Sequence, residues 1–210
     1  MAQAVETMRE ELCNSGRAAQ VRILTTKGKA LFKYLHSDSS LLYLYPPFNQ
    51  QVAYFLHHWA IWRMEHGRYH RGLPLLLEAV DMFKWDDNCT PAVVRCLNVL
   101  GAVLRSVGRL EEAEATILDA IALSTTFEDQ RLNICAQCNL VEVYLEMDDL
   151  GKATQWAQKV YQELEMYQQG KHPLEQIRYH SHLMTIAEAC WAGEEYDITN
   201  ECLWKVGFAL

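Results

Sequence analysis

Apolar residues recur along most of this chain at the three-and-four spacing of an α-helix, and polar or breaking residues divide them into runs of helical length. Leu97, Leu100 and Leu104 mark one run, Ile117 and Leu118 belong to the next, and Val21, Leu24, Leu31 and Leu35 form an earlier one. The pattern predicts helices over 2–13 and about 17–36, separated by Asn14-Ser15-Gly16. Ser37-Asp38-Ser39-Ser40 and Tyr45-Pro46-Pro47 read as breaks. Further helices are predicted at about 49–65, 69–83, 91–107, 110–124, 129–147 and 150–168. Asp86 to Pro91 reads as a loop ending in an N-cap Thr90 and a first-turn Pro91. Gly170-Lys171-His172-Pro173 breaks the chain before two last helices at 174–192 and 195–209. No strand pattern stands out.

The small residues carry a second pattern. Gly101, Gly108, Ala113 and Ala120 are matched 40 residues downstream by Val141, Asp148, Ala153 and Val160, and 41 upstream by Ala60, Gly67, Gly72 and Ala79. A weaker fourth set runs through Ile186, Gly193, Ile198 and Cys202, its first member 45 residues beyond Val141. The spacing has a physical meaning. Gly101, in mid-helix, lets a second helix cross closely, and Gly108 ends the first helix where a positive φ is favoured. Arg109-Leu110-Glu111-Glu112 opens the second helix with acids at its positive end. Ala113 and Ala120 keep the pair tightly packed. A fixed period in this range marks a stacked helical array, an architecture that generally binds other molecules.

Through Leu97, Leu100-Gly101, Leu104, Gly108, Ala113, Ile117 and Ala120, the unit resembles the tetratricopeptide repeat family. Downstream, Leu140, Tyr144, Ala153 and Ala157 fit that pattern, while Val141 and Asp148 stand where glycine is usual. Upstream, Leu56, Trp59, Ala60, Gly67, Leu76 and Ala79 fit, with Arg63 in place of an aromatic and Gly72 in place of alanine. The period exceeds the common one of about 34 residues. With the Leu123–Gln130 junction, it is similar to the longer-repeat arrays of Pins/LGN-type polarity adaptors, kinesin light chains and signal-sensing bacterial regulators. The resemblance implies an all-α fold, a right-handed superhelical solenoid of antiparallel helix pairs. Residues 1–45 would form an N-terminal helical segment or cap. Residues 46–210 would form the repeats, at about 49–85, 91–125, 129–169 and 174–210.

The resemblance also implies that the first helix of each pair lines an inner groove. The groove positions are then Tyr54, His57, Ile61 and Met64, followed by Arg95, Asn98, Ala102 and Arg105, and by Cys135, Cys138, Glu142 and Leu145. Tyr54, Ile61, Met64 and Leu145 would anchor a partner. Arg95 and Arg105 would grip a carboxylate or phosphate, and the Asn98 amide would bond an extended backbone. Most of the Lys and Asn positions of the two-carboxylate clamp in chaperone-tail receptors are missing.

The formal net charge of −8 argues against nucleic acid or an anionic membrane as the main target. No apolar run reaches the roughly 18 residues of a spanning helix, and Met1 to Met8 lacks a secretory pattern. Seven cysteines without an evident disulfide framework predict reduced thiols in the cytoplasm or nucleus. Cys135-Ala136-Gln137-Cys138 lies mid-helix with no second pair, and Gly67 separates His66 from His70, so neither predicts a metal site. No catalytic motif is found, and no enzyme activity, cofactor or metal is expected. The last predicted helix ends on Trp204, Val206, Phe208 and Leu210, an apolar end expected to pack back, to self-associate or to continue into further repeats or a larger complex. These observations predict a scaffold or adaptor binding a partner peptide or helix in the groove. The alternatives are a ligand- or peptide-sensing regulatory domain and a structural subunit docked through its ends.

Overall fold

A computed structural model describes residues 46–84, 90–126, 129–167 and 175–207, and among them the chain is helical with no strand. Eight helices follow in order: α1 (Pro46–Glu65), α2 (Tyr69–Lys84), α3 (Thr90–Ser106), α4 (Leu110–Thr126), α5 (Gln130–Glu146), α6 (Leu150–Tyr167), α7 (Glu175–Ala192) and α8 (Tyr196–Val206). The helices expected before residue 46, the loop ahead of Thr90, the Gly170–Pro173 break and Phe208 lie outside the described residues. α1 begins three residues before its predicted start. Pro46 and Pro47 open the helix instead of blocking it, because amides in a first turn have no intrahelical acceptor to lose. The period of about 40 comes from helix length: α3, α4 and α5 have 17 residues each. None of the described helices is long and apolar enough to cross a membrane.

The chain divides into two compact units, Met1–Val99 and Leu100–Leu210. In the first, α1 and α2 form an antiparallel pair around Leu56, Ala60, Leu76, Ala79 and Phe83, all essentially solvent-free. Tyr54 packs edge-on against Phe83, with ring centroids 4.9 Å apart. In the second unit, the end of α3 packs on α4, α5 pairs with α6, and α7 pairs with α8. α4 also packs on α5, α6 on α7, and the first helices α5 and α7 touch directly. Ile117, Leu140, Val141, Val143, Leu183 and Ile186 fill this core. Gly101 is needed for close crossing, since a Cβ there would overlap the Ile117 side chain on α4. Asp129 caps α5, its carboxylate accepting from the Leu132 amide at 3.0 Å.

One turn recurs four times. Gly67, Gly108, Asp148 and Glu194 have φ of 66°, 77°, 59° and 63°. At each, the residue's own N–H donates to the carbonyl three residues back, and the next N–H donates to the carbonyl five before itself. This is the Schellman arrangement that satisfies the last carbonyls of a helix. The fourth repeat is therefore shifted by one residue from the sequence pattern: its turn residue is Glu194, not Gly193, and Ala187 replaces Ile186 as the match to Gly101. Gly193 serves packing, because a Cβ there would run into the Thr154 side chain of α6.

Candidate functional site

In the second unit the first helices share a bonded face. Arg105 extends from the last turn of α3 to two carboxylates of α5, 2.7 Å from Glu142 and 2.6 Å from Glu146. The Thr185 hydroxyl of α7 donates to Glu142 at 3.1 Å, so one carboxylate ties three helices together. Cys135 lies 3.5 Å from Nε2 of His182 across the α5–α7 contact. Arg105, Glu142 and Leu145, named from sequence, thus stand near one another, with Leu145 half-buried. The Arg105 guanidinium is already held by the protein's own acids, and an incoming carboxylate would have to displace them.

The corrected register brings further residues to this face. Beside Thr185, at helical spacing along α7, lie Met184, Glu188 and Trp191. Met184 is 43% exposed and Trp191 60%, with Trp191 edge-on to Tyr196 at 5.3 Å. The pattern around Gly193 hid them, whereas counting from Glu194 as the equivalent of Asp148 finds them.

In the first unit the named residues differ in accessibility. Tyr54, Ile61 and Met64 are half-buried and Arg95 is exposed, while His57 and Asn98 are buried. His57 Nδ1 lies 3.0 Å from the Cys96 sulfur. The pair superficially resembles a thiol–imidazole dyad, but both groups are sealed from solvent, and burial pushes the Cys96 thiol up to about 12. Burial likewise raises Cys135 and Cys138, neither of which is in a disulfide. His182 is pushed down to about 4, chiefly by burial and then by Arg178. The described residues contain no cluster of three or more side chains able to hold a metal ion. At the other named surface, Trp204 on α8 is 71% exposed.

No protein-family model and no curated protein matches the sequence. Solved structures match in fold. A putative kinesin light chain with nearly identical TPR-like repeats from Podosopora anserina aligns with a TM-score of 0.70 at 16% identity, over 98% of this chain and 92% of that one. Pseudomonas aeruginosa pilF aligns at 0.63 and 16% identity, over 98% of this chain and 75% of the other. The Rap conjugation gene regulator of plasmid pLS20, solved in complex with the Phr* peptide, aligns at 0.58 and 17% identity, over 75% of this chain and 43% of its own. The fold is that of the TPR-like helical repeat proteins.

Proposed function

We propose that this protein is an interaction scaffold whose first-helix face receives a peptide or helix from a partner protein. The observation that carries the reading is the exposure of Met184 and Trp191 on a face held in place by the Arg105–Glu142–Thr185 bonds. Large apolar side chains left in water beside fixed charges are typical anchors of a partner. Leu145 extends this stripe, and Glu142, Glu146 and Glu188 give it an acidic border suited to a partner with basic residues. The first unit carries candidate contacts of its own: Tyr54, Ile61 and Met64 offer half-buried apolar surface, Arg95 is an exposed cation, and His57 and Asn98 are buried. The peptide bound by the Rap regulator of the same fold supports a peptide as the ligand class. A sensing domain that responds to such a peptide is the alternative in which binding is itself the signal. Exposed Trp204 supports a second docking surface, used in self-association or assembly into a larger complex.

Binding is favoured over catalysis: the His57–Cys96 pair is buried, the Cys135–His182 pair is half-buried, and burial raises both thiols. The acidic net charge favours protein over nucleic acid or membrane, and the free thiols of the five cysteines among the described residues favour the reducing cytoplasm or nucleus. A photo-crosslinking residue at position 184, compared with one at exposed Leu118 on α4, tests the reading in native extract. A specific adduct from 184 and none from 118 supports it; the same adducts from both sites, or none from 184, refute it.

A further inference from the structure

Arg63 occupies the repeat position held by Leu104 and Tyr144 in the next two helix pairs. It is only 9% exposed, and its guanidinium lies over the rings of Trp59 and Trp62, 5.3 and 5.5 Å from their centroids. Among the described side chains no acceptor bonds this guanidinium, and its Nε is buried without a partner. Among the described residues, the charged groups acting on it are two more cations, Arg68 and Arg71. At the equivalent position Tyr144 donates to Glu114 at 2.7 Å; one residue further along the repeat, Arg105 also has a buried, unpartnered Nε, but its terminal nitrogens reach Glu142 and Glu146.

The neighbouring helix end deepens the imbalance. α4 opens with Glu111 and Glu112, and α8 has Asp197 in its first turn. α2 has no acid there; Arg68 precedes it, and His70 and Arg71 lie in the turn. Its first amides and positive dipole end thus face more positive charge, the reverse of the usual compensation. Gly72 stands where Ala113, Ala153 and Thr199 stand in the other repeats. It brings the first turn of α2 against the Arg63 stem, whose Cβ would be 3.6 Å from a Cβ on Gly72. Only five of the chain's 27 acidic residues (Glu6, Glu10, Glu11, Asp38 and Glu65) precede Gly72.

We propose that Arg63, Arg68 and Arg71, at the N-terminal end of α2, form a binding site for a phosphate-type dianion. Three guanidinium groups at a helix N-terminus match a tetrahedral group of two negative charges and several acceptor oxygens better than they match a single carboxylate. The bound anion would bond the unpartnered Arg63 and relieve the repulsion among the three cations.

Thermal unfolding in low-millimolar inorganic phosphate, with ionic strength held constant by chloride, tests the site. Wild type is expected to melt about 2–5 °C higher once phosphate is in several-fold excess of its Kd. Arg68→Gln/Arg71→Gln, two exposed substitutions, should lose that rise and should melt no lower than wild type in phosphate-free buffer. Arg63→Leu, which installs the residue found at the equivalent Leu104, should also lose the rise. The proposal is overturned by no phosphate response in wild type, by an equal response in the double variant, or by an equal response to acetate.

Discussion

Glu194 holds a left-handed backbone conformation, with φ of 63°, at a position where two of the three equivalent turns use glycine. Placing an L side chain there costs roughly 1–2 kcal/mol. Replacing it with glycine removes that strain but gives the unfolded chain more freedom, an offset of about 0.4–1 kcal/mol. The loss of one acidic charge ahead of α8 subtracts a few tenths more, at most, since Asp197 stays in the first turn. Glu194→Gly should therefore stabilise the protein by about 0.5–1 kcal/mol, a rise of roughly 1–4 °C in Tm for a chain of this size. Asp148→Gly should gain less, because Asp tolerates this conformation better than Glu. Gly108→Ala should run the other way, losing about 1 kcal/mol. Urea unfolding followed by circular dichroism measures the series, and an unchanged m-value assigns the shifts to stability. Glu194→Gln, which removes the charge and keeps the strain, separates the two contributions. If Glu194→Gly is neutral or destabilising while Asp148→Gly stabilises, the turn is not where the repeat places it and the corrected register fails.

Three further outcomes follow from the packing and titration. Gly101→Ala gains about 1 kcal/mol of helix propensity but forces a methyl into Ile117, so a net loss of about 1–2 kcal/mol is expected in chemical unfolding. Adding Ile117→Val should cost less than the two single changes summed. His182, packed against Cys135 and Arg178, has a folded pKa of about 4, below its unfolded value of 6.5. Its contribution is therefore complete above about pH 6.5 and is lost as pH falls toward 4, by about 3 kcal/mol in all. His182→Gln should flatten that part of the stability profile relative to wild type; parallel profiles for the two proteins would contradict the assignment. Cys96, Cys138, Cys190 and Cys202 are buried and Cys135 half-buried, so peptide mapping after brief maleimide treatment of the native protein should find Cys135 modified ahead of the other four.

The paired helices were legible in the sequence because close crossing demands small residues at fixed intervals, and Gly101 facing Ile117 is the direct cause of that signal. Where another force chose the residue, the pattern misled. Gly193 looks like a helix terminator, yet its lack of a side chain accommodates Thr154, and the strained position beside it is filled by Glu194. That one-residue slip concealed Met184 and Trp191 on the candidate face. Pro46 and Pro47 read as a break because proline stops a helix when it arrives late and is tolerated when it comes first. The pairing of Arg105 with Glu142 and Glu146 spans about one repeat in sequence, and side-chain bonds over that distance leave no local trace. Arg63 was visible only as a departure from the repeat pattern. Its lack of an acidic partner appears once the neighbouring side chains are in place.

The most direct test of the interaction face is a fluorescence anisotropy titration with a peptide selected on the wild-type protein from a display library. Met184→Ser/Trp191→Ser is predicted to weaken binding by roughly 30-fold or more, as expected for removal of an aromatic hot spot, while Trp204→Ser and Leu118→Ser change it less than about twofold. Undiminished binding to Met184→Ser/Trp191→Ser, or loss only with Trp204→Ser, would contradict the account.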